Sequence, residues 1–138
     1  MNRIVDGFAS LRAQKKGALL PYLTAGYPDS TTSLELIRAA DRAGAAVVEI
    51  GFPYSDSIAD GPVIQESFHD VLERGFRVSD ALELTAEARR SVRCALVAML
   101  SYTLVHRAGV ETFLRDAKAA GFDGVIVPDV PVEESELL

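Results

Sequence analysis

The chain has 138 residues, 49% of them hydrophobic, and its 14 Lys and Arg against 20 Asp and Glu give a formal net charge of −6. That length builds one hydrophobic core and not two of ordinary size. The acidic balance, with no basic cluster longer than Lys15-Lys16, argues against nucleic acid or an anionic membrane as partner. No stretch approaches the roughly 18 apolar residues of a membrane span, Met1 to Gln14 lack the apolar core of a signal peptide, and cytoplasmic residence is the expectation. The single cysteine, Cys94, excludes an internal disulfide and lies in the apolar run Cys94-Ala95-Leu96-Val97 as an inert, buried strand residue.

Ile4, Phe8 and Leu11 fall at helical spacing and predict a short amphipathic helix over residues 2–14, of the kind that plugs an apolar opening. Gly17 breaks the pattern. Ala18 to Thr24 read as a first strand, and Ala25 to Asp29 as the loop after it. Thr32 with Glu35 fits a capping box for a helix that stops at Gly44, and Ala46 to Gly51 make a second strand. Pro62 stands where a first helical turn accepts proline, and Val63, Ile64, Phe68, Val71 and Leu72 form a helical stripe ending at Gly75. Ser79 or Asp80 starts the next helix. The third strand is Cys94 to Leu100, running on to Tyr102, and His106 falls in a loop. A helix bearing Val110, Phe113, Leu114 and Ala117 ends at Gly121, Val125 to Val127 form a fourth strand, and Pro131 with Glu133-Glu134 opens a last helix.

Near-continuous apolar strands alternating with amphipathic helices argue for an α/β fold with a parallel sheet. A faint repeat supports this: the helix closing on Gly44 and the strand carrying Glu49 resemble the helix closing on Gly121 and the strand leading to Asp129. Repeated βα units build either a doubly wound sheet or a (β/α)8 barrel, and both place their sites at the carboxyl ends of the strands.

Chemistry concentrates between Val47 and Pro62. Glu49 follows an apolar β-branched run with few charge partners nearby in sequence, the setting of a group that holds or gives a proton; the plainer alternative is an ion pair with an arginine. Asp60 precedes Gly61-Pro62, where it is either a second functional carboxylate or a helix cap. His69 and His106 read as solvated, and no His, Cys and Asp cluster has metal-ligand spacing, so no metal is expected.

Four segments carry a resemblance: Leu20-Pro21-Tyr22-Leu23-Thr24-Ala25-Gly26-Tyr27-Pro28, Glu49-Ile50-Gly51-Phe52-Pro53-Tyr54-Ser55-Asp56, Ala59-Asp60-Gly61-Pro62-Val63-Ile64-Gln65 and Pro128-Asp129-Val130-Pro131-Val132-Glu133-Glu134. Together they resemble tryptophan synthase alpha chains. The resemblance implies a (β/α)8 TIM barrel, of which residues 1–138 are the N-terminal half, about the first four βα units, since a full barrel takes about 250 residues. It implies a lyase of tryptophan biosynthesis that cleaves indole-3-glycerol phosphate to indole and glyceraldehyde 3-phosphate in a retro-aldol step. By this resemblance Glu49 is the proton donor at carbon, Asp60 faces the indole nitrogen, and Tyr22, Leu100 and Ile126 enclose the indole. Tyr102 either approaches the glycerol portion or packs with its hydroxyl satisfied locally.

The resemblance also implies a beta-chain partner carrying pyridoxal phosphate, with no cofactor in this chain, and gives Asp56 a place in the loop that signals to that partner. Ser57 stands where the family usually has proline, and Thr103-Leu104-Val105 where it usually has an Asn-Pro pair; both departures bear on partner contact. The loops that commonly hold a substrate phosphate follow strands 7 and 8, so poor turnover without a second half is expected. Two alternatives remain: a non-catalytic half-barrel that self-associates through its unpaired sheet edges or binds a partner, and a different phosphate-binding (β/α)8 enzyme.

Overall fold

The computed structural model describes residues 2–58 and 60–137. Four strands, β1 (Tyr22–Thr24), β2 (Val47–Gly51), β3 (Ala95–Met99) and β4 (Gly124–Ile126), alternate with helices α1 (Arg3–Ala13), α2 (Ser30–Arg42), α3 (Pro62–Glu73), α4 (Val78–Arg89), α5 (Tyr102–Ala108) and α6 (Val110–Ala120), and a 3-10 turn spans Val132–Leu137. The strands are all parallel and lie in the order β1-β2-β3-β4. A doubly wound sheet must reverse its strand order at a switch point. The unbroken sequential order is instead that of a (β/α)8 barrel.

The period of two along each strand separates two faces. Val48 and Ile50 of β2 and Leu96 and Ala98 of β3 face the helices, where they form one core with Ile37 of α2, Ala81, Leu84 and Ala88 of α4, and Phe113 and Ala117 of α6. Phe52, fully buried just past β2, meets Phe113 edge-on at 6.0 Å and Phe122 at 5.8 Å. Such ring pairs contribute about 0.5–1.5 kcal/mol each beyond burial. On the other face Val47, Ala95 and Val97 cluster, and Ile4 of α1 packs against them. The amphipathic N-terminal helix thus covers the N-terminal end of the inner face, as its spacing predicts.

That end of the sheet is fastened by charge. Asp123 accepts from Arg89 at 2.9 Å, from Arg3 at 2.8 Å and from the Leu96 backbone N–H at 3.0 Å. Arg89 also donates to the carbonyls of Gly121 at 3.1 Å and Cys94 at 2.9 Å. Asp41 accepts the N–H groups of Arg93 at 3.0 Å and Cys94 at 2.7 Å, where β3 begins. Cys94 is buried, though one residue ahead of β3 instead of within it, and burial, reinforced by Asp41, pushes its thiol up to about 12.

Several elements depart from the sequence reading. β1 is shorter than Ala18 to Thr24: the ladder with β2 runs over Tyr22–Thr24 only, Pro21 having no N–H to give, although the Leu19 and Pro21 carbonyls still accept the Ala46 and Glu49 N–H groups. Asp29, not Thr32, caps α2: its carboxylate takes the Thr32 N–H at 2.8 Å and hydroxyl at 2.7 Å, while Glu35 pairs with Arg38. α4 begins at Val78, two residues before Asp80, whose carboxylate reaches back to the Arg77 N–H at 2.8 Å. β3 stops at Met99, and Tyr102 opens α5 with Ser101 as its cap, so His106 lies on a helix instead of a loop. The segment after Pro131 is a 3-10 turn.

Candidate active site at the carboxyl ends of the strands

Glu49 is the third of five residues in β2 and points to the inner face, level with Tyr22 of β1 and Val97 of β3. It is half-buried, and no Arg or Lys makes an ion pair with it among the described residues. The arginine pairing that would make it a purely structural acid is therefore missing. In register Glu49 is level with Gly124, whereas Asp129 lies three residues beyond β4, so the two acids of the sequence repeat occupy different depths.

Tyr22 lies across Gly51. A side chain at that glycine would collide with the Tyr22 hydroxyl and ring, so the bare backbone makes the room that the phenol occupies. Burial, with the charges of Asp60 and Glu49 nearby and against a hydrogen bond from Thr24, pushes the Tyr22 phenol up to about 12. Both candidate carboxylates therefore act on this one ring. Two residues further along β1, the Thr24 and Ser67 hydroxyls bond at 2.8 Å and tie the strand to α3.

A cleft of about 250 Å³ opens here, walled by Tyr22, Tyr54, Phe68, Met99 and Leu100, with Asp60 and Asp129 at its rim. The lining is mostly apolar with a few convergent polar groups, the usual make-up of a small-molecule site. Asp60 is held by its surroundings: its N–H donates to the Ser57 carbonyl at 3.1 Å, its carbonyl accepts from Gln65 Nε2 at 2.9 Å, and its Oδ2 accepts from the Tyr54 hydroxyl at 3.3 Å. α3 itself has Gly61 as its cap with no side-chain bond, so Asp60 is not the helix cap.

Of the residues singled out from sequence, Tyr22, Asp60 and Leu100 line the cleft, and Glu49 stands beside Tyr22 on the same face. Ile126 lies level with Met99 on the inner face, exposed at the sheet edge. Tyr102 is turned elsewhere, its hydroxyl bonded locally to Glu134 at 3.1 Å. Asp56 is exposed and borders a separate groove of about 680 Å³ with Arg77 and Arg107. Ser57 is buried, and its carbonyl takes both the Asp60 N–H and Gln65 Nε2, so a glutamine on α3 fastens this loop. Asp129 clamps the neighbouring loop, accepting the Ser101 hydroxyl at 2.6 Å and the Tyr102 N–H at 2.7 Å.

Sequence reasoning left out Tyr54, Phe68 and Gln65. Tyr54 carried a signal: a hydroxyl-bearing aromatic in the loop between two acids. Among the described residues no group of His, Cys, Asp and Glu is arranged to hold a metal, and no helix is long and apolar enough to cross a membrane.

Sequential parallel βα units with acids at the strand ends define the first half of a barrel enzyme's scaffold. The profile of the tryptophan synthase alpha chain family matches residues 8–138, and the chain belongs to that family. The tryptophan synthase alpha chain of Microcystis aeruginosa is 43% identical over 138 residues, covering 100% of this chain and 52% of the relative. An aminoacrylate-bound tryptophan synthase from M. tuberculosis superposes with a TM-score of 0.91 at 37% identity, covering 99% of this chain and 55% of that one. The alpha subunit from Legionella pneumophila gives a TM-score of 0.89 at 34% identity, covering 99% and 52%. The chain thus spans about half the length of the relatives it matches.

Proposed function

We propose that this chain carries the acid and base residues of a lyase that cleaves indole-3-glycerol phosphate into indole and glyceraldehyde 3-phosphate. The carrying observation is a pair of carboxylates on either side of Tyr22, Glu49 beside it on β2 and Asp60 on the wall of the apolar cleft, with no cation paired to either among the described residues. In the proposed step Glu49 protonates indole C3, the bond from C3 to the glycerol carbon breaks, and the hydroxyl on that carbon loses its proton to Glu49 as the aldehyde forms. Asp60 accepts the hydrogen bond of the indole N–H and favours electron flow toward C3. Tyr22 and Leu100 sandwich the ring, with Ile126 beside them. Each such proton transfer supplies a factor of about 10²–10⁴.

In this reading the chain works in the cytoplasm beside a beta chain that holds pyridoxal phosphate, and the Asp56-Ser57 loop with its groove faces that partner. The exposed Leu19, Leu20 and Ile126 at the two sheet edges favour a second reading, self-association of half-barrels; light scattering decides between monomer and dimer. The lyase reading is tested by indole release from indole-3-glycerol phosphate. Glu49→Gln is expected to reduce it by about 10²-fold or more with the fold retained, and unchanged release would remove Glu49 from the mechanism.

A further inference from the structure

The main chain and the side chain of Asp60 are held by different parts of the molecule. Gln65 of α3 fixes the main chain: one amide nitrogen donates to the Asp60 carbonyl at 2.9 Å and to the Ser57 carbonyl at 3.0 Å, and the Asp60 N–H closes onto Ser57 at 3.1 Å. None of these bonds sets the carboxylate rotamer. The only side-chain partner of that carboxylate among the described residues is the Tyr54 hydroxyl, 3.3 Å from Oδ2.

Tyr54 is well placed to aim it. Two residues earlier Phe52 is fully buried and its N–H bonds to the Met99 carbonyl at 2.9 Å, so the root of the loop is locked to the end of β3. The Tyr54 ring then rests on the buried Phe68 of α3, with ring centres 5.4 Å apart. Anchored at both ends, the phenol has little freedom to follow a wandering carboxylate, so the carboxylate follows the phenol.

The charges around this corner explain why a phenol serves. Tyr22 on β1 and Asp129 after β4 face it, with Glu49 behind Tyr22 on β2, and no Arg or Lys is among the residues lining the cleft. A cation here would pair with Asp60 and withdraw it from a ligand. A neutral hydroxyl orients one oxygen and leaves the other as an acceptor. Burial, then the charge of Asp60 and its hydrogen bond, raise the Tyr54 phenol above its ordinary value, so it remains a donor at neutral pH. The 3.3 Å separation is at the long end for O–H···O, as unliganded sites often are.

We propose that Tyr54 is a positioning residue: by holding Oδ2 of Asp60 it presents Oδ1 to a ring N–H donor in the cleft, and so sets selectivity for indoles with a free N–H. The inference rests on the reading of Asp60 as the indole-nitrogen partner. The test is NMR titration of the protein with indole and with 1-methylindole, which lacks the N–H, across Tyr54→Phe, Asp60→Asn and the double variant. The wild type should prefer indole, and Tyr54→Phe, which keeps the ring on Phe68, should lose about five- to tenfold of that preference, the scale of one ordinary hydrogen bond. In the Asp60→Asn background the same substitution should change nothing. Equal preference in wild type and Tyr54→Phe, or an equal loss in both backgrounds, overturns the positioning role. A wild type without preference instead removes Asp60 as nitrogen partner, which is a failure of the functional reading.

Discussion

The two ends of the sheet use the same residue type in opposite ways. At the N-terminal ends of the strands Asp123 is saturated by two guanidinium groups and a backbone N–H, and Asp41 by two backbone N–H groups. At the carboxyl ends Glu49 and Asp60 have no paired cation among the described residues, and Asp60 and Asp129 take their hydrogen bonds from hydroxyls and a backbone amide. A neutralised acid stabilises, whereas an acid left without a counter-charge keeps its capacity to move protons or accept a ligand. In parallel barrels the first kind belongs at the bottom face and the second at the top.

The largest expected effect comes from breaking the bottom face. Asp123→Ala leaves Arg89 without its carboxylate in a nearly buried site and should cost about 3 kcal/mol, read by denaturant unfolding. Gly51→Ala, at the top, puts a methyl group against the Tyr22 phenol. It should cost about 1–3 kcal/mol and also weaken indole binding, a pairing of effects that no bottom-face substitution should produce. Asp41→Ala should cost about 1 kcal/mol through its two lost backbone bonds.

Asp41 also makes a pH prediction. Burial alone would raise its carboxyl, but the Cys94 and Arg93 N–H groups outweigh that and hold it below the usual value. A depressed folded value means stability that is present above the unfolded value of about 3.9 and is lost as pH falls through the lower folded one. Acid unfolding of Asp41→Ala should therefore be shallower below about pH 4 than that of the wild type. The smallest effect sharpens the contrast: Glu49→Gln breaks no ion pair among the described residues and should shift stability by about 0.5 kcal/mol or less, while the proposed lyase step should be lost.

Much of the fold was legible because its signals are local. Gly44 and Gly121 both adopt positive φ where helices end, and Pro62 opens α3, as their chemistry requires. α5 was not legible, since seven residues make too few turns for a hydrophobic period, although Ser101 ahead of Gly109 marked its limits. Asp29 and Thr32 both suit a helix start, and only the extended backbone at Asp29 decides between them. For the site, the family signature pointed to Glu49 and Asp60, but the partners that hold or surround them come from elsewhere: Gln65 and Phe68 from α3, Tyr22 from β1. The Gly51 gap for Tyr22 depends on two strands lying side by side, which no single stretch of sequence displays.

The sequential strand order also bears on how the sheet comes into being. Each strand pairs with the strand one connection earlier, so every ladder closes a loop of moderate length, and the entropy of closure grows only with the logarithm of that length. Among the four described strands no pairing skips a neighbour in the sequence. During synthesis, where N-terminal segments emerge first, the order of emergence is also the order of pairing, and each new βα unit meets a sheet edge already formed to receive it.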